Sequence, residues 1–226
     1  VDGTILAREG YSIFDMGAYQ GPGPMAGVWH AQGPYSIPNI RLRAYGVYTN
    51  KIYAGSYRAS GVADITYAVE SHMDMVARRL GIDPVSFREK NLIQEGHISP
   101  RGMPMPRNGL KETVRAVKER LGLPRKQKQD GIGIGIAVCE WQSGSGPSYA
   151  SVAVQEDGTV SLLTGSVDIS GSDTALAQIT AETLGIATDS VIVSKRDTDT
   201  APYTHPSGGS RITYSQGKVA QQAAEE

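Results

Sequence analysis

Three stretches of this chain carry the residue types best suited to holding an anion: Gly55-Ser56-Tyr57-Arg58-Ala59-Ser60-Gly61, Ser170-Gly171-Ser172-Asp173-Thr174 and Pro206-Ser207-Gly208-Gly209-Ser210-Arg211. Each runs into a pattern that predicts the first turn of a helix. That turn leaves backbone N–H groups unpaired and carries the positive end of the helix dipole, and small residues before it let a ligand approach the main chain. One such loop is ordinarily a cap. Three in one chain, with Arg58 inside the first, point to loops converging on an extended anionic ligand such as a phosphorylated cofactor.

The other reactive residue types give weaker patterns. His30, His72, His97 and His205 are not three or four residues apart, the spacing with which one helix offers two ligands to a metal, so no metal site is expected from them. His205 precedes the third loop and is expected at its surface. Cys139, the one cysteine, excludes an intrachain disulfide and a multi-cysteine metal site, and its apolar surroundings predict a buried, inert thiol. Gly131-Ile132-Gly133-Ile134-Gly135 has glycines like those of a dinucleotide turn, but no helix pattern follows, and that fingerprint needs strand, turn and helix in order. Glu70 and Glu182 fit helix interiors and read as surface or salt-bridge residues rather than as a general base.

These residues must be positioned by the surrounding elements. Strands are expected at 4–8, 11–19 and 41–48, with chain breaks at Gly21-Pro22-Gly23-Pro24 and Gly33-Pro34. A helix is expected from an Asp64 N-cap to Gly81, burying Ile65, Val69, Met73, Val76 and Leu80, and a second from Asp83 and Pro84 to about Leu92. A third runs from Leu110, with Val114, Val117 and Leu121 on one face, to Gly122. Arg125 to Asp130 has no apolar residue and reads as a solvated linker, giving parts at 1–123 and 131–226 joined by 124–130. Beyond it, strands are expected at 131–141, 150–155, 160–164 and 191–195, with a turn at Glu156-Asp157-Gly158 and helices at 174–184 and from about Ser210. The fold class is α+β, helices layered on sheets in two domains.

Composition sets the limits. The 226 residues suit one large domain or two small ones, and 22 Lys and Arg against 23 Asp and Glu give no charge bias toward nucleic acid or an acidic membrane. No apolar run approaches the roughly 18 residues that cross a bilayer, and no signal-peptide pattern opens the chain, so a soluble, cytoplasmic protein is expected. The first and last residues fall inside patterned segments, which reads as a piece of something longer.

Taken in order, Ile37-Pro38-Asn39-Ile40-Arg41, Val47-Tyr48-Thr49-Asn50, the loop at 55–61, Glu70 to Asp74, and Gly81-Ile82-Asp83-Pro84 resemble the large, molybdenum-binding subunit of the xanthine dehydrogenase and aldehyde oxidase family. Val167 to Ser172, Ala177-Gln178-Ile179 to Leu184-Gly185, Asp197-Thr198-Asp199, and Gly208 to Thr213 with Gly217 continue that resemblance over nearly the whole chain. It implies a central fragment whose loops form part of a cleft for molybdopterin with molybdenum, often as the cytosine dinucleotide. Ser56, Tyr57, Arg58, Ala59 and Ser60 match the loop beside the molybdenum. Ser170, Gly171 and Ser172, with Gly208, Gly209 and Ser210, match segments that contact the pterin or the metal's oxygen ligands.

The implied activity of the intact subunit is hydroxylation of an aldehyde or heteroaromatic carbon with oxygen from water. Iron-sulfur and FAD domains or subunits would be its partners, and an oligomer its intact form. Many members have Gly-Gln-Gly where this chain has Ser170-Gly171-Ser172, so a glutamine contact does not transfer. Ala59 stands where carbon monoxide-oxidising members carry cysteine, which disfavours that activity, and Ala26 falls near the arginine that orients purines. The family's Gly-Gly-Phe-Gly-Gly segment and glutamate base have no counterpart, so the fragment alone is expected to be inactive. The other reading that the shortened loop supports is a non-catalytic cofactor-binding or assembly module of the same fold.

Overall fold

A computed structural model of the chain describes residues 2–99, 102–123, 131–141, 144–194 and 196–226. The expected linker at 124–130 lies outside them. The chain divides into two compact units, Val1–Trp141 and Gln142–Glu226.

In the first unit, β1 (Ala7–Gly17) and β2 (Asn39–Tyr48) pair in parallel, from Ala7 opposite Asn39 to Asp15 opposite Val47. The ladder runs unbroken through Glu9 and Gly10, so the strands expected at 4–8 and 11–19 are one. α1 (Gly23–His30) connects them where the sequence predicted only a break. Pro24 sits in its first turn, where a missing N–H costs nothing because no helical partner exists there.

α2 (Val62–Leu80) starts from Gly61, with Asp64 in its first turn rather than at its cap. Its buried line is Val62, Ile65, Val69, Met73 and Ala77, and Leu80 turns toward solvent. α3 (Pro84–Asn91) begins as expected, with the Asp83 carboxylate accepting the Ser86 N–H at 2.8 Å. α4 (Leu110–Leu121) ends at Gly122 and buries only Val114, while Val117 and Leu121 are exposed.

The core of this unit gathers Tyr35, Ile37, Met73, Ala77, Phe87, Val114 and Val138. Residues 131–141, expected as a strand, join no ladder among the described residues. They are held instead by Val138, whose side chain is buried and whose N–H donates to Glu70 Oε2 at 3.0 Å. Cys139, next in line, faces outward and is exposed rather than buried, because its inward-facing neighbour takes the core position.

In the second unit, β3 (Ala150–Val154) and β4 (Val160–Thr164) form the expected hairpin, and β5 (Val191–Val193) lies parallel to β4. α5 (Ser172–Leu184) and α6 (Gly217–Glu225) bury Leu176, Ala177, Ala181 and Ala220 against Val160, Leu162 and Val191. The last helix begins as a π-helical turn at Ile212–Gln216, two residues beyond the expected start. Both units are helices layered on a small sheet, the expected α+β class.

Candidate functional site: three strained loops

The first loop, 55–61, leads toward α2. Ser56, Tyr57, Arg58 and Ala59 are exposed and Ser60 is half-buried. The Val62 N–H donates back to the Ala59 carbonyl at 2.7 Å, which forces a tight turn. Gly61 completes it at φ +71°, where a Cβ would stand 2.8 Å from the Ala26 Cβ, so only glycine lets α1 and this turn meet unstrained. Among the described residues Arg58 makes no hydrogen bond or ion pair. Its guanidinium is free for a ligand.

The second loop enters α5 through Ser170 and Gly171, both exposed. Ser172 is buried, with its hydroxyl 3.2 Å from the Val167 carbonyl and from Asp168 Oδ1, and it accepts the Ile169 N–H at 3.2 Å. Asp168 Oδ1 also accepts the Asp173 N–H at 3.2 Å, and Arg196 pairs with Asp173. The helix start that the sequence offers to an anion thus already carries a carboxylate. Its exposed rim presents acceptors, which suits the N–H donors of a heterocycle better than a phosphate.

The third loop exposes Gly208, Gly209 and Ser210. Arg211 braces it from behind: its Nε donates to the Gly208 carbonyl at 2.8 Å, and its guanidinium also meets His205 Nδ1. The Gly144 N–H donates to the Gly209 carbonyl at 2.5 Å. Below, buried Gln216 donates to Thr204 Oγ1. The roots of the second and third loops touch. At Gly165, just past β4, a Cβ would lie 2.1 Å from the Pro202 carbonyl oxygen, so glycine is required for that approach. The Thr200 hydroxyl, with the N–H groups of Asp199 and Thr200, holds the Asp197 carboxyl below the usual carboxylate range.

One property unites the loops. Among the described residues four that are not glycine have left-handed backbones, Arg58 (φ 23°), Ala59 (53°), Ser170 (59°) and Ser210 (56°), and all four lie in these segments. Such conformations are uncommon outside glycine, cost on the order of 1 kcal/mol or more, and cluster where a ligand is held. The first loop belongs to the first unit, and the other two to the second.

The supporting partners were harder to read than the loops. Asp168, Arg196, Thr204 and Gln216 have no local spacing that marks them; only the Asp168-to-Asp173 interval hints at a side-chain cap. No group of three potential metal ligands forms among the described residues. His97 binds the Ser36 hydroxyl at 2.9 Å, His30 stacks on Trp141, and His205 is half-buried rather than at the loop surface.

The first loop thus offers an arginine with no partner among the described residues, and the second unit offers exposed glycine-rich backbone braced by a second arginine and an acceptor-rich rim. A model of the molybdopterin cofactor-binding domain matches residues 1–92, and a second matches residues 110–226. The chain belongs to the molybdopterin cofactor-binding domain family. It is 32% identical over 99% of its length to the aldehyde oxidoreductase of Megalodesulfovibrio gigas, covering 26% of that protein. It is 31% identical over 99% of its length to the xanthine dehydrogenase molybdenum-binding subunit of Escherichia coli O157:H7, covering 32% of it. The solved structure of reconstituted CO dehydrogenase from Oligotropha carboxidovorans superposes with a TM-score of 0.86 at 29% identity, covering 99% of this chain and 32% of that one. The chain spans less than a third of the length of these relatives.

Proposed function

We propose that the three loops hold molybdopterin and that the intact polypeptide is the molybdenum-binding large subunit of a hydroxylase of the xanthine dehydrogenase and aldehyde oxidase type. The confinement of the four strained non-glycine residues to these loops carries the reading. Arg58 would meet a phosphate or the oxygen ligands of the metal, flanked by Ser56, Tyr57, Ala59 and Ser60. Gly208, Gly209 and Ser210 would offer backbone N–H groups to phosphate, with Arg211 fixing their direction. Ser170, Gly171 and Ser172, backed by Asp168, would take the donor edge of the pterin.

When bound, the group supplies the two-electron chemistry for hydroxylating an aldehyde or heteroaromatic carbon with oxygen from water. The residues of this chain bind and orient it. Neither glutamate weighed as a base is poised for that role: Glu70 is sealed in a buried pair with Arg88, and Glu182 lies on the exposed side of α5. The base, the iron-sulfur and FAD electron carriers, and the small-molecule substrate site belong to the rest of the polypeptide or to partner subunits in a cytoplasmic oligomer. The cytosine dinucleotide form of the cofactor fits two separate glycine-rich loops, one for each end of a longer ligand.

The test is the molybdenum and pterin content of the full-length parent, wild type against Arg58→Ala. Losing one charge-assisted contact of about 1.5–3 kcal/mol lowers affinity by roughly 10- to 100-fold. Wild-type protein should carry both components near stoichiometry, and the variant should lose most of both with its circular dichroism unchanged. Full retention by the variant would refute the assignment of Arg58.

A further inference from the structure

Arg211 directs the third loop, and the side chain that in turn directs Arg211 is a histidine. The Arg211 Nε is spent on the Gly208 carbonyl at 2.8 Å, and its Nη1 reaches His205 Nδ1. Both side chains are seated on the backbone of one short segment. A Cβ on Gly144 would stand 2.9 Å from Arg211 Nε, and one on Gly146 would stand 2.6 Å from His205 Cγ, so at each position only glycine leaves the side chain above it in place. The same segment ties down the main chain on both sides of the pair. The Gly144 N–H donates to the Gly209 carbonyl at 2.5 Å, and the His205 N–H donates to the Pro147 carbonyl at 3.1 Å.

A guanidinium donates and never accepts, so the nitrogen it meets must carry a lone pair. Nδ1 does so only in a neutral imidazole with its proton on Nε2. A protonated ring donates from both nitrogens and would set a second positive charge against the first. Segment 144–148, Gly-Ser-Gly-Pro-Ser, has no ionisable side chain, Thr204 and Gln216 are neutral, and the π-helical turn brings only Tyr214, which is exposed. Among the described residues neither His205 nor Arg211 forms an ion pair with a carboxylate. Upstream, Asp197 spends its carboxylate on the N–H groups of Asp199 and Thr200, and Asp199 is exposed. Arg211 is therefore the charged group that faces the imidazole, and it opposes a proton there. Imidazole is also the side chain whose charge ordinarily changes between about pH 5 and about pH 8.

We propose that His205 is a positioning residue for the third loop: its neutral imidazole holds Arg211, and through it the Gly208-Gly209-Ser210 backbone, and uptake of a proton by His205 releases both. One consequence rests on the molybdopterin reading of this loop: the cofactor is held less tightly as the pH falls.

The experiment follows amide exchange of Gly144 in the cofactor-free full-length parent, expressed as protection relative to an unstructured chain at the same pH. Wild-type protection should fall roughly tenfold between about pH 8 and about pH 5, the effect of losing one charge-assisted hydrogen bond. His205→Asn offers Oδ1 as an acceptor that does not titrate, so its protection should stay high at both pH values, and that of His205→Ala should be low at both. Unchanged wild-type protection, a pH step that persists in His205→Asn, or a fall shared by the core amides of Leu176 and Ala181 would each overturn the proposal. Molybdenum retained by the loaded parent separates this inference from the cofactor reading. Wild-type protein should release more at about pH 5 than at about pH 8, and His205→Asn should not. A step in Gly144 protection with no step in molybdenum would uphold the histidine brace and refute the third loop as a cofactor contact.

Discussion

Arg88 has no exposure to solvent, and its burial depends on the acceptors set around it. Its Nε donates to Glu70 Oε2 and its Nη1 to Asp74 Oδ1, each at 2.7 Å, and its Nη2 donates to the Glu70 carbonyl at 3.0 Å. Burial alone would lower the guanidinium pKa, but the two carboxylates outweigh it and hold it raised. The Tyr35 hydroxyl donates to Glu70 Oε1 at 2.5 Å, and burial beside that carboxylate pushes its pKa far above the ordinary phenol value. Removing one partner of a buried pair costs about 3–5 kcal/mol, so Arg88→Leu should open the first unit far more readily, whereas Tyr35→Phe should cost about 1.5–3 kcal/mol. Native-state hydrogen exchange of core amides in the parent reads both without requiring the whole polypeptide to unfold in one step.

A surface carboxylate gives the pH-dependent prediction. Lys51, with Thr49 and the Gly17 N–H, lowers the Asp15 carboxyl to about 2. Its folded pKa lies below the unfolded value of about 3.9, so its stabilising contribution is fully present above pH ~4 and is lost as pH falls through about 2. In Lys51→Met the NMR titration midpoint of Asp15 should move up toward the unfolded value. An unmoved midpoint would mean that Lys51 is not the cause. Charged residues of this kind divide sharply in legibility. Arg58 stands out because small residues surround it, whereas Glu70 and Arg88 look like ordinary helix surface until Tyr35 and Val138, distant in sequence, enclose them.

At the scale of elements, what could be read was whatever a local stop or cap encodes. Asp83 and Pro84 mark the start of α3, and Gly81 and Gly122 take left-handed backbones as helix ends. Replacing Asp83 by Ala should cost about 1 kcal/mol and speed exchange of the Ser86 and Phe87 amides, the first turn it caps. Elements defined by tertiary contact were not legible. α1 hides behind Gly-Pro punctuation that equally suits a helix start, and residues 131–141 look like a strand but find no partner strand among the described residues. Gly61 joins local and tertiary signals, since its left-handed turn and its approach to Ala26 both exclude a side chain. Gly61→Ala should cost at least about 1–2 kcal/mol from backbone handedness. In the parent it should weaken cofactor retention, read as molybdenum content, while leaving the second unit's amide exchange unchanged.

For the whole molecule, the order of loops along the chain was visible in sequence, because their glycines and serines cluster locally. The point after Trp141 where the two compact units part has no such local mark. The contact that draws residues 131–141 into the first unit, Val138 N–H to Glu70, spans 68 positions and leaves no local trace. If the three loops hold the cofactor, they make a distinctive demand. Cofactor binding must order backbone that is otherwise strained and exposed. The decisive measurement compares amide exchange of the full-length parent loaded with molybdopterin against the cofactor-free protein. Slowed exchange concentrated at residues 55–61, 168–173 and 206–211 is the expected result. Protection confined to other segments, with these three loops unchanged, would overturn their assignment as the cofactor site.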